Sequence, residues 1–149
     1  MKYIFSLFFL LLFSSVFSQH TFEKWYGGIQ SDQGQGVVQL ADSGYAVLGR
    51  SWTFTNGGSD LVLWRLDKFG DTIWVKHYGG AQNEFTNGSI QITQDGGFIF
   101  AGSSSSYGIG TPSAWNWYVV KTNGNGNEQW HKTWGNAPKP KRVFLSTRH

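Results

Sequence analysis

The 149-residue chain has no cysteine, so no disulfide can staple it even in an oxidising compartment. Its stability must come from packing. No stretch has helical periodicity, and the greasiest run, Ile4 to Phe13, falls well short of the roughly 20 apolar residues a membrane-spanning helix needs. Charge is sparse, at 14%. What is abundant is aromatic and turn chemistry: 17% of the residues are Phe, Trp or Tyr and 20 are glycine, a balance that points to a strand-rich, turn-rich exported protein.

Met1-Lys2-Tyr3 supplies a positive start to that greasy run, and "VFS" before Gln19 puts Val16 and Ser18 at the small-residue positions of a cleavage site. This is the pattern of a signal peptide over residues 1–18. It predicts cleavage after Ser18 and a protein that is secreted or held at the cell surface, off the membrane once the signal is removed. With no cysteine to take a lipid, a lipoprotein anchor is excluded. The formal net charge of +3 invites a nucleic-acid reading, but Lys139, Lys141, Arg142 and Arg148 sit in a tail, 136–149, that holds no acidic residue. Without those four and Lys2, acidic residues outnumber basic ones, and no nucleic-acid partner is expected.

"FEKWYGG" (Phe22 to Gly28) recurs as "WVKHYGG" (Trp74 to Gly80) and, incompletely, as "WHKTWGN" (Trp130 to Asn136). Tyr26 and Tyr78 are 52 residues apart, Asp42 and Asp95 53, and Gly70 and Gly126 56. A period in the low fifties is one supersecondary unit copied. Four apolar runs of strand length fall in each copy: "GVVQL", "YAVLGR", "DLVLWRLD" and "TIWVKHY", echoed by "SIQIT", "FIFAGS", "NWYVVKT" and "EQWHKTW". "ADSGY" and "QDGGF" are tight turns, as are "DKFGD" and "NGNGN". The expected fold is all-β: four-stranded antiparallel meander repeats in an incomplete β-propeller-like array. By period, the chain divides into repeat 1 (19–73), repeat 2 (74–129), the first strand of a third unit (130–135) and the basic tail.

The unit "GG…D…GY..LG.S…G.SDL.L.RLD..G…W.K.YGG" resembles the repeats of large secreted and surface proteins that some Gram-negative bacteria export by the type IX route. The resemblance spans Phe22 to Gly135. It implies a propeller-like fold and an extracellular address, and members usually carry more repeats and a C-terminal sorting domain, which this chain does not match. A ring needs about four blades to close. Either a truncated fragment of a longer protein or self-association through the open strand edges, "TFEKWYG" and "EQWHKTW", is expected.

Catalytic chemistry finds little footing. A glycosidase needs two carboxylates facing one bond, and most acids here occupy repeat-equivalent places: Asp42 with Asp95 in a turn, Asp32 with Glu84 after the double glycine. Asp67 and Asp71 become Asn123 and Asn127 in the second copy, so their charge is dispensable. His20, His77, His131 and His149 have no ligand spacing, and no G-x-S-x-G occurs. No catalytic residue, metal or cofactor is expected, and a polysaccharide-acting, endoglucanase-like enzyme or its remnant is the alternative reading.

Aromatics at repeated strand positions (Phe22, Trp74 and Trp130; Tyr26, Tyr78 and Trp134), together with Trp64 and Trp117, are expected in the core. Trp52, Phe54, Tyr107 and Trp115 instead fall between the second and third strands, where loops should be polar. The second unit's extra residues lie in that connection and in the one from strand four to strand one, and both emerge on one side of a meander. Asp32 and Glu84 lie on that side too. Aromatic loops beside Asn, Asp and Glu on a rigid repeat suit a noncatalytic surface adhesion or glycan-binding module, with an extracellular glycan or a surface protein as partner.

Overall fold

The computed structural model describes residues 21–53, 55, 57–108 and 114–135. The proposed signal peptide, Phe54 and the basic tail lie outside the described residues. Eight strands follow one another: β1 (Asp32–Gln39), β2 (Tyr45–Ser51), β3 (Asp60–Leu66), β4 (Thr72–Tyr78), β5 (Glu84–Ile92), β6 (Phe98–Ser104), β7 (Asn116–Thr122) and β8 (Glu128–Trp134). They form two four-stranded antiparallel sheets in simple up-and-down order, β1-β2-β3-β4 and β5-β6-β7-β8. The described residues contain no helix, and the two sheets pack against each other without closing into a barrel. The expected incomplete propeller-like array is what forms.

The turns explain why the meander is regular. Between β3 and β4, Asp67 Oδ1 accepts from the backbone N–H of Phe69 and of Asp71, both at 2.8 Å. Between β7 and β8, Asn123 Oδ1 accepts from Asn125 at 3.0 Å and Asn127 at 2.9 Å. An acceptor oxygen is what this corner requires, and its charge is immaterial. Gly70 and Gly126 close the two corners at φ 78° and 73°, where a side chain would be strained.

The sheets set the unit boundaries differently from the sequence period. β4 closes the first sheet and β8 the second, so Trp130 to Trp134 end a unit rather than open a third. Periodicity specifies the length of a repeat but not its phase, which hydrogen bonding between strands decides. One of the extra residues also lies inside a strand: β5 has nine residues against eight in β1, and the register shifts between Thr86 and Ile90. It is accommodated as a β-bulge. There β1 and β5 approach so closely that a Cβ on Gly36 would collide with the carbonyl of Gly88.

The core lies between the sheets. Ala46, Leu48, Leu61, Leu63 and Tyr78 of the first meet Phe98, Phe100, Tyr118 and Val120 of the second. Trp74 packs edge-on to Phe98 at 6.2 Å and Tyr78 to Phe100 at 5.0 Å, and the Tyr78 hydroxyl donates to Gly126 O at 2.7 Å. Only this interior copy of the repeated aromatics is sequestered. Trp117 is 69% exposed, and Phe22, Tyr26, Trp130 and Trp134 are exposed as well, contrary to the expectation that all were core. Trp64 is half-buried. Each of these side chains belongs to a face that meets a neighbouring sheet in the repeat pattern, and among the described residues only the face between the two sheets meets another sheet.

Candidate functional site

The described residues of three connections meet at one end of the sheets: 52–53, 55 and 57–59, then 79–83, then 105–108 with 114–115. Gly58 N–H donates to Gln82 O at 2.8 Å, Asn83 N–H to Ser105 Oγ at 3.1 Å and Gln82 N–H to Ser106 Oγ at 2.9 Å. The expected gathering of loops on one side is therefore present, stitched by backbone and short hydroxyl side chains. Two acids organise it. Asp32 Oδ2 accepts from Gly28 N–H at 2.8 Å and from the Thr53 hydroxyl at 3.2 Å, and Glu84 repeats the pattern, accepting from Gly80 N–H at 3.0 Å and from the Ser104 hydroxyl at 2.6 Å.

These contacts bear on the residues singled out from the sequence. Glu84 has 0% exposure, and a fully enclosed carboxylate with both oxygens engaged closes the double-glycine turn instead of meeting a ligand. Asp32 is half-buried in the equivalent turn of the first unit. Tyr107 also faces inward: its ring stacks on His131 at 4.7 Å and leans on Tyr118 at 5.3 Å, while its hydroxyl donates to Gly79 O at 2.7 Å. Burial pushes that phenol above its ordinary value, with Glu84 adding to the effect. Of the two tryptophans, Trp115 lies at the surface of the loop end, 55% exposed, whereas Trp52 is half-buried there.

What joins those two is a group the sequence reading passed over. Arg50, at the end of β2, donates from Nε to Ser59 Oγ at 2.7 Å. Its guanidinium lies 4.1 Å from the Trp52 ring centroid and 5.5 Å from that of Phe85. Burial lowers its pKa, opposed by the charge of Glu84. A cleft of about 170 Å³ opens here between Arg50, Phe85, Ser103 and Trp115. The available signal was the chain order: Arg50 precedes Trp52 by two residues, and Phe85 follows Glu84 directly. The sheets had to be packed before those two pairs could be seen to share a wall.

Chemically, the cleft offers aromatic faces, a guanidinium that can only donate, and a hydroxyl that can do either. Two carboxylates do come together, Asp60 beside Glu84, since a Cβ on Gly79 would collide with Asp60 Oδ1 and Glu84 Oε2. Asp60 is 1% exposed, however, so no substrate bond reaches the pair. Among the described residues no group of three or more His, Asp or Glu is arranged to hold a metal ion, and no helix is long and apolar enough to cross a membrane. No family model matches the chain, and no curated protein does either.

Proposed function

We propose that this is an exported, noncatalytic repeat protein of the bacterial type IX kind, acting at the cell surface as an adhesion module whose loop end binds extracellular glycan. The observation that carries the reading is the Arg50 cleft, where Trp115 and Phe85 present rings beside a guanidinium and Ser103 adds a hydroxyl. Flat rings stack on the apolar faces of sugars, and the donors of Arg50 suit an oxygen-rich ligand. The repeat supplies rigidity and the loops supply chemistry, which is where repeat proteins usually place binding.

The test pairs a pull-down on insoluble polysaccharides with thermal melts. Trp115→Ala should weaken attachment while leaving the melting temperature unchanged, because an exposed ring away from the core contributes within about 0.5 kcal/mol. Trp52→Ala should weaken it too, at a stability cost of about 0.5–1 kcal/mol for the lost cation–π contact. Trp74→Ala serves as the control and should lose stability first, by about 3–5 kcal/mol. Undiminished attachment by both loop variants would sink the reading.

A further inference from the structure

The chain repeats one contact twice and leaves a third instance unmade. In the interior copy, the corner glycine of the second sheet is covered by the outer strand of the first: a Cβ on Gly126 would lie 2.6 Å from the Trp74 ring and 3.0 Å from Lys76 Cγ, and Tyr78 donates to Gly126 O. Residues 21–28 make the same contact one unit earlier without forming a strand ladder. There a Cβ on Gly70 would lie 2.5 Å from the Phe22 ring, Tyr26 donates to Gly70 O at 2.7 Å, and Lys24 pairs with Asp71 at 2.5 Å. Phe22, Lys24 and Tyr26 thus stand where Trp74, Lys76 and Tyr78 stand. β8 carries the third set, Trp130, Lys132 and Trp134, at the same alternate positions.

Among the described residues, nothing packs on that third set, and Trp130 and Trp134 are exposed. Register places Ile99, Ala101, Trp117 and Val119 beside it on the outer face of the second sheet. They are the equivalents of Ala46, Leu48, Leu61 and Leu63, all 0% exposed where the two sheets meet. The opposite outer face, on the first sheet, is Val37, Tyr45, Val47 and Trp64, equivalent to the inward face of the second, where Phe98, Phe100 and Val120 are buried and Ile90 is partly buried. Residues 21–28 cover it incompletely: a gap of about 110 Å³ remains between Tyr26, Val47, Trp64 and Leu66, and Val37 is exposed.

We propose that the outer face of the second sheet docks a second copy of this chain, through that copy's first sheet, and that residues 22–28 are a displaceable cover over the receiving face. The joint repeats the intramolecular one. Trp130 takes the place of Phe22 on Gly70, Lys132 takes that of Lys24 on Asp71, and the Trp134 indole N–H replaces the Tyr26 hydroxyl as donor to Gly70 O. Because β8 and the cover occupy equivalent positions, they exclude each other, so the cover competes with assembly. The contact is head-to-tail and can extend to a ring or an open array. The proposal is independent of the glycan reading.

Light scattering of the purified chain across a concentration series should report growth beyond the monomer. Trp117→Lys, at an exposed position, should weaken association roughly tenfold or more, the scale of losing one interface anchor, with an unchanged melt in dilute solution. Phe22→Ala loosens the cover and should strengthen association. Zero-length amide crosslinking of mixed light and isotope-labelled chains should join Lys132 of one copy to Asp71 of another. A chain that stays monomeric at every concentration, or one whose inter-copy links join Lys132 to Glu128, as edge pairing of two β8 strands would give, overturns the proposal. So does a Trp117→Lys chain that associates like the parent. Loss of polysaccharide attachment in that variant, from a parent that stays monomeric, would assign the face to glycan instead.

Discussion

At the scale of single residues, the charged groups act as clamps on turns. Asp95 accepts from Lys121 Nζ at 2.8 Å and from Gly97 N–H at 3.2 Å, and Asp42 accepts from Gly44 N–H at 3.1 Å and pairs with Arg65. For Asp95 the Lys121 ammonium, and for Asp42 the Gly44 N–H, holds the carboxyl below its ordinary range. Their contribution to stability is complete above the unfolded value near 3.9 and is lost as pH falls through the lowered folded values. His77 works at higher pH. Burial lowers its pKa, partly opposed by Asp32, so from about pH 6.5 downward the unfolded chain binds the extra proton and stability falls until the lowered folded value is passed. Melting temperature is therefore expected to drop in two steps, one starting just below pH 6.5 and one below about pH 4. His77→Gln should flatten the first step and leave the second, and a first step that survives this substitution would assign it to another group.

At the scale of elements, the corner between the third and fourth strands of each unit does two jobs. It turns the chain, and its glycine receives the aromatic of the preceding unit. Gly96, in the turn between β5 and β6, does only the first: its φ is 74°, and a Cβ there would meet nothing within 4 Å. Gly96→Ala should cost only the left-handed backbone term, about 1–2 kcal/mol. Gly126→Ala adds the displacement of Trp74 to the same strain and should melt distinctly lower. Equal melts for the two variants would mean that the ring moves aside freely and that the corner is not a joint.

For the whole molecule, burial follows position in the array more than residue type. Leu61 and Trp117 occupy the same place in their units, yet Leu61 is 0% exposed and Trp117 69%. In dilute solution Leu61→Ala should cost about 2–5 kcal/mol, and Trp117→Ala should stay within about 0.5 kcal/mol. Denaturant melts of the two variants check this, and a large loss at Trp117 would mean that the outer face of the second sheet is covered within one chain. The aromatic positions at 22, 74 and 130 could be recognised as a repeated set from the chain alone. Which member would be interior could not, because each needs a neighbouring sheet and a period carries no information about where the array stops. The candidate site was half legible for a similar reason. Trp52 and Trp115 stand out as aromatics in polar loops, whereas Arg50 and Phe85 read as ordinary strand residues until the sheets bring them within 5.5 Å of each other.

What depends on near neighbours along the chain could be read from residue order alone. Alternating apolar runs specify eight strands, and Asp or Asn three residues before a glycine specifies a corner, because those hydrogen bonds close within a few residues. The equivalence of Asp32 and Glu84 was visible in the same way, since each accepts from a backbone N–H four residues back. Where one sheet ends, which copy of each repeated side chain is buried, and that Glu84 and Tyr107 face inward while Arg50 and Trp115 line a cleft emerge only once the sheets are packed. Those outcomes turn on contacts between sheets. Burial is a property of a surface and whatever lies against it, and the chain encodes the first of these locally but the second only through its folded whole.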